Sequence, residues 1–388
     1  MSDNEKSLVV SGAGAAGISA AITAARMGRP VLLVEKSQSE GGTVTKSLIH
    51  TLGGIFDSSG EFINNGITKE LTERLLGADS FTKTRQIGRT WTLQCSPDIY
   101  EKVIKDWLNE MPQIKLMLNN FISAVEVDKG SVKSIAVTGD KTAVNSNVTA
   151  LIDATGKGEA LRLINPDLVI NNEPKASAGL IFILRGVDPD ALRFPNNVKY
   201  LHHIRSEVKK GILPPELAGT WIDQGVYEGE CYVKMTVDAD IAQTSSGFTD
   251  KLRDDLISFL RALPAFSNAA LYKTGMPGKR DSGRVAGEYC LSYEDVINAR
   301  KFSDAACRCA WPVEFWDQGK GVFLEYPKEN DYYEIPLRSL KVHSLKNVWT
   351  AGKCFSADYR ARSSARVAGC CWAMGEAVAK AVCRGLVL

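Results

Sequence analysis

No run of the 388 residues is apolar for long enough to span a bilayer, so no membrane-embedded segment is expected. An excess of charge of one sign is missing too. Lys and Arg number 47 against 45 Asp and Glu, a formal net charge of +2, and no basic run makes an electrostatic case for nucleic acid. Histidine is scarce, four in all, and His202-His203 has no ligand partner nearby in sequence. The nine cysteines contain no C-x-x-C pair, and Cys307-x-Cys309 is too short for zinc spacing, so no metal is expected. Their odd count argues against a complete set of internal disulfides, and they are read as reduced, buried thiols in a cytoplasmic protein. Met1 to Lys6 is polar and acidic rather than signal-like. Repeats and low-complexity tracts are absent.

What is there is an ordinary globular composition, 44% hydrophobic and 24% charged, in a chain long enough for two or three domains or one large discontinuous one. Its organising stretch is Leu8 to Gly17, where a strand-like apolar run flows into G-x-G-x-x-G. Gly12 permits a tight turn, Gly14 lets backbone N–H groups approach a pyrophosphate, and Gly17 lets the following helix pack closely on the strand. Ala15 and Ala16 open that helix, whose unpaired N–H groups face the phosphates. A second apolar run, Val31 to Val34, ends in Glu35-Lys36, where a carboxylate accepts hydrogen bonds from a ribose 2′-OH. Strand, helix and acid together point to dinucleotide binding.

Further along, Gly41-Gly42-Thr43 leaves backbone open to a flat or charged ligand. Ile67 to Leu76 has helical periodicity, and Arg85 to Leu93 reads as an exposed loop turning into a strand. Ser96-Pro97 opens a helix that runs to about Met111. Four short strands follow between Ile114 and Ile152, the last delivering Asp153-Ala154-Thr155-Gly156. Asn165 to Pro174 reads as a polar connector. Beyond it lie strand-like Ala178–Val187 and Cys231–Val237 and an amphipathic helix, Phe248–Leu263. The C-terminal third holds a helical pattern over Tyr293–Asp304 and an extended segment, Tyr333–Leu340. A glycine-ended strand, Asn347–Gly352, and one long helix, Ala361–Arg384, complete it.

The set GAGAAG at 12–17, GGTVT at 41–45, DATG at 153–156, AGKCFSA at 351–357 and RSSARVAG at 362–369 resembles the FAD-dependent oxidoreductase family, with an FAD-binding fold of glutathione-reductase type. The resemblance implies an α/β protein. A discontinuous Rossmann-like FAD-binding domain, residues 1–164 and 275–388, would carry an inserted α+β substrate domain over 165–274. It implies FAD as cofactor, contacted by Gly12, Gly14, Ala15, Ala16, Gly17, Glu35, Lys36, Gly41, Gly42, Thr43, Gly156 and Gly352. A helix beginning near Ser363-Ser364 would point at the isoalloxazine. Many members carry Asp-x-His where this chain has Trp311-Pro312-Val313-Glu314.

No second G-x-G-x-x-G follows a strand, so a separate NAD(P)H domain is not expected. Flavin dehydrogenation needs a base beside the oxidised carbon, and His50, just past the glycine pair, is the first candidate, Tyr359 the next. Arg280, Arg284 and Arg362 are candidates for an anionic substrate, because arginine binds carboxylates in bidentate fashion. The expected activity is a dehydrogenase or oxidase acting on a small amino- or hydroxy-acid-like or carrier-tethered molecule. Two alternatives stay open: an NAD(P)H-driven monooxygenase or alkene reductase, and a non-catalytic FAD-binding partner protein. An electron acceptor or a carrier protein is the further kind of partner such a chain would meet.

Overall fold

The computed structural model describes residues 6–140, 142–174, 176–237, 246–317, 321–328 and 331–385; most of the polar N-terminal segment lies outside them. β1 (Ser7–Ser11) is apolar without alternation because both its faces are buried. It runs parallel between β2 (Val31–Val34) and the end of β9 (Thr142–Asp153). The sheet continues outward through β6 (Ile114–Met117) beside β2. On the other side, β8 (Ser131–Gly139) and β7 (Asn120–Asp128) run antiparallel, and β20 (Val348–Thr350) lies parallel to β9. The four strands expected between Ile114 and Ile152 are all present.

One face of this sheet is covered by α1 (Ala15–Arg26), α3 (Ile67–Ala78), α4 (Pro97–Asn109) and α11 (Ala368–Gly385), in a core that holds Leu8, Val10, Ile22, Leu71, Trp107 and Trp372. α4 starts as its sequence suggests, with the Ser96 hydroxyl accepting the Asp98 amide at 3.3 Å and Pro97 in the first turn. α1 leans directly on α11. The Ser19 hydroxyl donates to the Trp372 carbonyl at 2.6 Å, and a Cβ on Gly375 would lie 2.1 Å from the Ala16 carbonyl oxygen.

The middle third builds a second, antiparallel sheet in the order β12 (Trp221–Gln224), β13 (Glu230–Val237), β11 (Ala178–Arg185), β14 (Ala270–Thr274). Here alternation is clean. Leu180, Phe182, Leu184, Val233 and Met235 face α7 (Asn196–Lys209) and α8 (Ser246–Arg261), while Ile181, Ile183 and Tyr232 face Leu48. A short α6 (Pro189–Leu192) precedes α7. The connector at 165–174 is not wholly irregular: β10 (Val169–Ile170) pairs with β15 (Arg284–Val285).

Three smaller sheets complete the structure: β3 (Thr51–Leu52) with β5 (Thr90–Gln94) and β4 (Lys83–Ile87), β16 (Ala305–Cys309) with β19 (Tyr333–Pro336), and β17 (Val313–Asp317) with β18 (Gly321–Glu325). The segment 85–93, expected as a loop turning into a strand, is therefore a hairpin, turning at Gly88 with φ +59°. Two expected helices are shorter than their patterns. α9 (Tyr293–Ile297) stops before Ala299, which sits at φ +52°. The single helix expected over 361–384 is two, α10 (Tyr359–Ala365) and α11, broken at Arg366-Val367. The break lets Gly369 meet Gly54, where a Cβ would fall 2.4 Å from the Gly54 carbonyl carbon. Among the described residues no helix is long and apolar enough to cross a membrane, and no group of His, Cys, Asp and Glu is placed to hold a metal ion.

Candidate functional site: a backbone cradle and a cation cluster

Three turns converge at the carboxyl ends of β1, β9 and β20. Gly12 turns at φ +99°, and a Cβ there would lie 2.6 Å from the Ala154 carbonyl oxygen. A Cβ on Gly17 would lie 1.8 Å from the Gly12 carbonyl oxygen, so only glycine allows α1 this close to its strand. Gly42, at φ +60°, approaches Gly14 so nearly that its Cβ would sit 2.7 Å from the Gly14 Cα. Gly352, at φ +88°, closes over Ala16. α1 has Gly14 as its N-cap, no side-chain cap and no acid in its first turn. The amides of Ala15, Ala16 and Gly17 therefore remain for an external acceptor at the positive end of a helix dipole. A pyrophosphate needs such a surface, made of backbone N–H without side chains.

Glu35 stands beside this cradle, at the end of β2. Its carboxylate accepts the Ala13 amide at 2.8 Å, the Ser37 amide at 3.0 Å, the Lys46 ammonium at 3.0 Å and the Ser37 hydroxyl. Burial alone would raise its pKa; the donors from Ser37, Lys46 and Ala13 outweigh that and hold it below the ordinary value. Lys46, the last residue of α2 (Thr43–Lys46), carried no signal in the sequence. Lys36, next in sequence, is exposed and pairs with Glu159 at 2.6 Å. The buried Asp153 carboxylate organises the turn that follows β9. It accepts the amides of Thr155, Ala160 and Leu161 at 3.0, 2.9 and 3.2 Å and the Thr155 hydroxyl at 2.6 Å, tying β9 to α5 (Glu159–Ile164). Gly156, at φ +70°, packs under the Lys353 chain. Thr43 is exposed at the start of α2.

The C-terminal elbow differs from expectation. Ser363 and Ser364 are buried inside α10. Ser363 bonds the Arg360 carbonyl at 2.7 Å, and Ser364 bonds the Trp311 carbonyl and the Tyr333 hydroxyl. They anchor protein to protein. The helix N-terminus expected there is at Ala368 instead, where the Gly369 amide donates to the Gly53 carbonyl at 2.9 Å. In the first turn of α11, Cys370 is paired with Cys309 of β16 in a disulfide, Cα–Cα 6.1 Å, so the reading of all thiols as reduced fails at this pair. Distance in sequence, 61 residues, hid it. Cys354 is a buried thiol, pushed up to about 11 by burial.

The elbow also gathers cations from three segments. Arg284 and Arg362 both bind Glu173, at 2.9 and 3.1 Å, and Arg362 is buried. Each thus already has a carboxylate of this chain for a partner. Arg280 is different. It donates to the Ser177 carbonyl at 2.6 Å and lies over the Trp316 ring at 4.5 Å, with no carboxylate of its own. Arg366 reaches the Glu314 carbonyl at 2.9 Å and shares Asp281, at 3.5 Å, with Arg362. Lys353 donates to the Lys279 carbonyl at 2.9 Å. Burial pushes Arg280 down to about 10, with Arg366 adding repulsion, and burial pushes Lys353 down to about 8, with Lys157 and Arg366 adding theirs. Three largely buried cations, Arg280, Arg366 and Lys353, face two carboxylates, Asp281 and Glu314, which offset them in part and leave a surplus of positive charge that favours an anion. The Glu314 oxygens also accept the indole N–H groups of Trp311 and Trp316 at 2.9 and 2.7 Å.

His50 belongs to a separate network under the second sheet. It is fully buried and stacked on Tyr232 at 3.7 Å. Its Nε2 lies 3.3 Å from Asp223, which also meets Lys234 at 3.4 Å and Arg85 at 3.5 Å. Neither ring nitrogen makes a directed hydrogen bond. Burial pushes the imidazole down to about 4, so it is neutral near pH 7. Tyr359 opens α10 with its ring edge-on to Phe315 at 5.5 Å.

Parallel strands, a glycine cradle at their carboxyl ends and an acid at the end of β2 define a dinucleotide-binding flavoprotein fold. The chain belongs to the FAD dependent oxidoreductase family, whose pattern it matches over residues 7–386, and FAD is its cofactor. No curated protein matches it. Among solved structures, it is similar to a geranylgeranyl bacteriochlorophyll reductase-like protein from Thermoplasma acidophilum. Identity is 13%, 98% of this chain and 78% of that chain are covered, and the TM-score is 0.54. It is also similar to the flavin-dependent brominase Bmp2, at 14% identity over 98% of this chain and 79% of that one, TM-score 0.51. At such identities the likeness is one of fold.

Proposed function

We propose that the chain oxidises a small anionic molecule, of amino- or hydroxy-acid type, with FAD held in a discontinuous arrangement of glutathione-reductase type. In this reading the amides around Gly12, Gly14, Ala15, Ala16 and Gly17 hold the pyrophosphate, Glu35 takes the adenosine ribose, and Gly41, Gly42 and Thr43 pass the ribityl and flavin end. Gly156 and Gly352 let backbone pass close by. The second sheet, within residues 165–274, is the substrate layer. When bound, FAD supplies the two-electron acceptor. Arg280 and Arg366, with Lys353 behind them, orient the substrate anion. His50 is the proton acceptor, with Asp223 at 3.3 Å to stabilise the imidazolium.

The observation that carries this reading is the surplus of positive charge at Arg280, Arg366 and Lys353 beside the elbow of the last two helices. Anaerobic mixing of the yellow protein with a panel of amino and hydroxy acids tests it. Bleaching by an acid and not by its amide or ester is the expected result, and bleaching by NAD(P)H alone overturns it. That second outcome would select the NAD(P)H-driven monooxygenase or reductase, a reading supported by the likeness to a reductase-like protein and to a flavin-dependent brominase. No bleaching by any donor, with a bound acceptor or carrier protein, would select a non-catalytic partner.

A further inference from the structure

The charges at the elbow do not balance, and the excess is larger than one unit. Lys157, half-buried in the turn that carries Gly156, adds its charge to that of Lys353. Arg280, Arg366, Lys353 and Lys157 then face two carboxylates, Asp281 and Glu314. Arg284 and Arg362 do not reduce the excess, since both guanidinium groups share one acid, Glu173. Desolvated charges without a counter-charge are costly, so a surplus of two positive charges calls for two negative ones. The single carboxylate of a simple amino or hydroxy acid supplies one. In the function proposed above the cofactor phosphates have their own donors, the amides at the start of α1.

The surplus sits at two places along one stretch of backbone. At the first, Arg280 Nη1 donates to the Ser177 carbonyl at 2.6 Å, and the guanidinium lies on the Trp316 ring at 4.5 Å. Ser177 holds Trp316 too, its amide donating to the Trp316 carbonyl at 3.1 Å. Gly179 gives the guanidinium its seat, because a Cβ there would fall 3.0 Å from Nη2. Nη1 is the one Arg280 side-chain nitrogen hydrogen-bonded to protein among the described residues. Arg366 joins this place, held by the Glu314 carbonyl at 2.9 Å. At the second, the Lys353 chain crosses Gly156, where a Cβ would fall 2.7 Å from its Cε, and Nζ donates to the Lys279 carbonyl at 2.9 Å. An ammonium has three N–H donors, so two remain for a ligand. Lys279 and Arg280 are neighbours in the chain, and the two places therefore flank the same turn of backbone.

We propose that this site takes a dicarboxylic acid, one carboxylate at Arg280 and Arg366 and the second at Lys353. The proposal narrows the substrate class of the oxidoreductase reading above and rests on it. Guanidinium groups take the first carboxylate through paired N–H donors, and the lysine takes the second as a point charge.

Calorimetric titration of the oxidised, FAD-loaded protein with glutarate and with its monoamide tests it, since the two ligands differ only in the second carboxylate. Glutarate is expected to bind at least ~10-fold tighter, the discrimination a charge-assisted contact provides. Lys353→Met should erase that ratio with binding of the monoamide unchanged, and Arg366→Gln should weaken both ligands. Equal binding of diacid and monoamide, no binding of either, or an unchanged ratio in Lys353→Met overturns the proposal.

A second measurement needs no variant. Burial pushes Lys353 down to about 8, with Lys157 and Arg366 adding repulsion and Cys354 and Asp281 opposing it. A carboxylate arriving beside the ammonium favours its charged form, so glutarate should take up protons at about pH 8.5 and the monoamide should not. Titration in two buffers of different ionisation enthalpy reads that uptake, and equal uptake or none with both ligands overturns the role of Lys353. Failure of the oxidoreductase reading would show separately, as diacid-selective binding to a flavin that no acid bleaches. Bleaching by monoacids, with equal binding of glutarate and its monoamide, would overturn the diacid class alone.

Discussion

The nucleotide cradle and the cation cluster are built from different material. The cradle is backbone: Gly12, Gly17, Gly42 and Gly352 stand where a Cβ would press between three turns, and the surface they leave is one of amides. The cation cluster is side chain, assembled from residues 280, 353 and 362–366 against carboxylates at 173 and 281. The first kind of site depends on geometry that only one residue type permits. The second depends on which carboxylate is shared by whom, and that is decided by tertiary contacts alone. Robustness should differ accordingly: a methyl group ruins the first, while the second responds in proportion to charge.

The largest effect is therefore expected at Gly17→Ala. Its Cβ would lie 1.8 Å from the Gly12 carbonyl oxygen, backbone that has nowhere to yield. Flavin absorbance per purified chain should fall to near zero, and a fully yellow variant would break the contrast. Next comes the disulfide that pins α11. Closing a loop of 61 residues is worth about 4 kcal/mol in the chain-entropy account. Replacing Cys309 and Cys370 by Ser, or adding a phosphine reductant, should lower the denaturant midpoint. Titration of all nine thiols in the untreated native protein under mild denaturant would sink the pairing.

His50 comes third. Folded, its imidazole is held at about 4; unfolded it titrates near 6.5. Between those values the unfolded chain binds the proton and the folded one does not, so stability falls as pH drops from about 6.5 toward 4. The loss is on the order of 2–3 kcal/mol. His50→Gln should flatten that slope in pH-dependent urea melts, and an unchanged slope would remove His50 as its source. Fourth, Arg366→Gln should raise KM for the anionic substrate about tenfold, near 1.4 kcal/mol, with flavin content unchanged. Loss of flavin instead would move Arg366 into the cradle. The smallest effect belongs to Lys36→Ala. An exposed pair with Glu159 is worth at most about 0.5 kcal/mol, and flavin retention should not change. A strong loss of flavin would place Lys36 at the cofactor.

The same contrast explains what the sequence could be made to say. Gly12 to Gly17 and Glu35 were legible because a βα turn that admits a phosphate fixes both residue type and spacing. The strands from 114 to 152 were legible from periodicity. Ser363-Ser364 misled because the apolar, alanine-rich pattern runs straight through the break at Arg366-Val367, which the contact between Gly369 and Gly54 requires. Arg284 and Arg362 looked unpartnered because Glu173, which they share, lies more than a hundred residues away in a segment read as connector. Lys46 carried no spacing signal, and it acts through Glu35, a partner that only folding supplies.

One contact bears on the timing of synthesis. The helix that begins at the cofactor loop is braced by the last helix of the chain, through Ser19 and Trp372, 353 residues apart, and through Gly375 against the Ala16 carbonyl. The amides at the start of α1 are thus synthesised long before the contacts that set them in place. A nascent chain carries Gly12 to Gly17 without that brace until Trp372 and Gly375 have been added. Chains halted before Ala368 should accordingly leave the ribosome colourless.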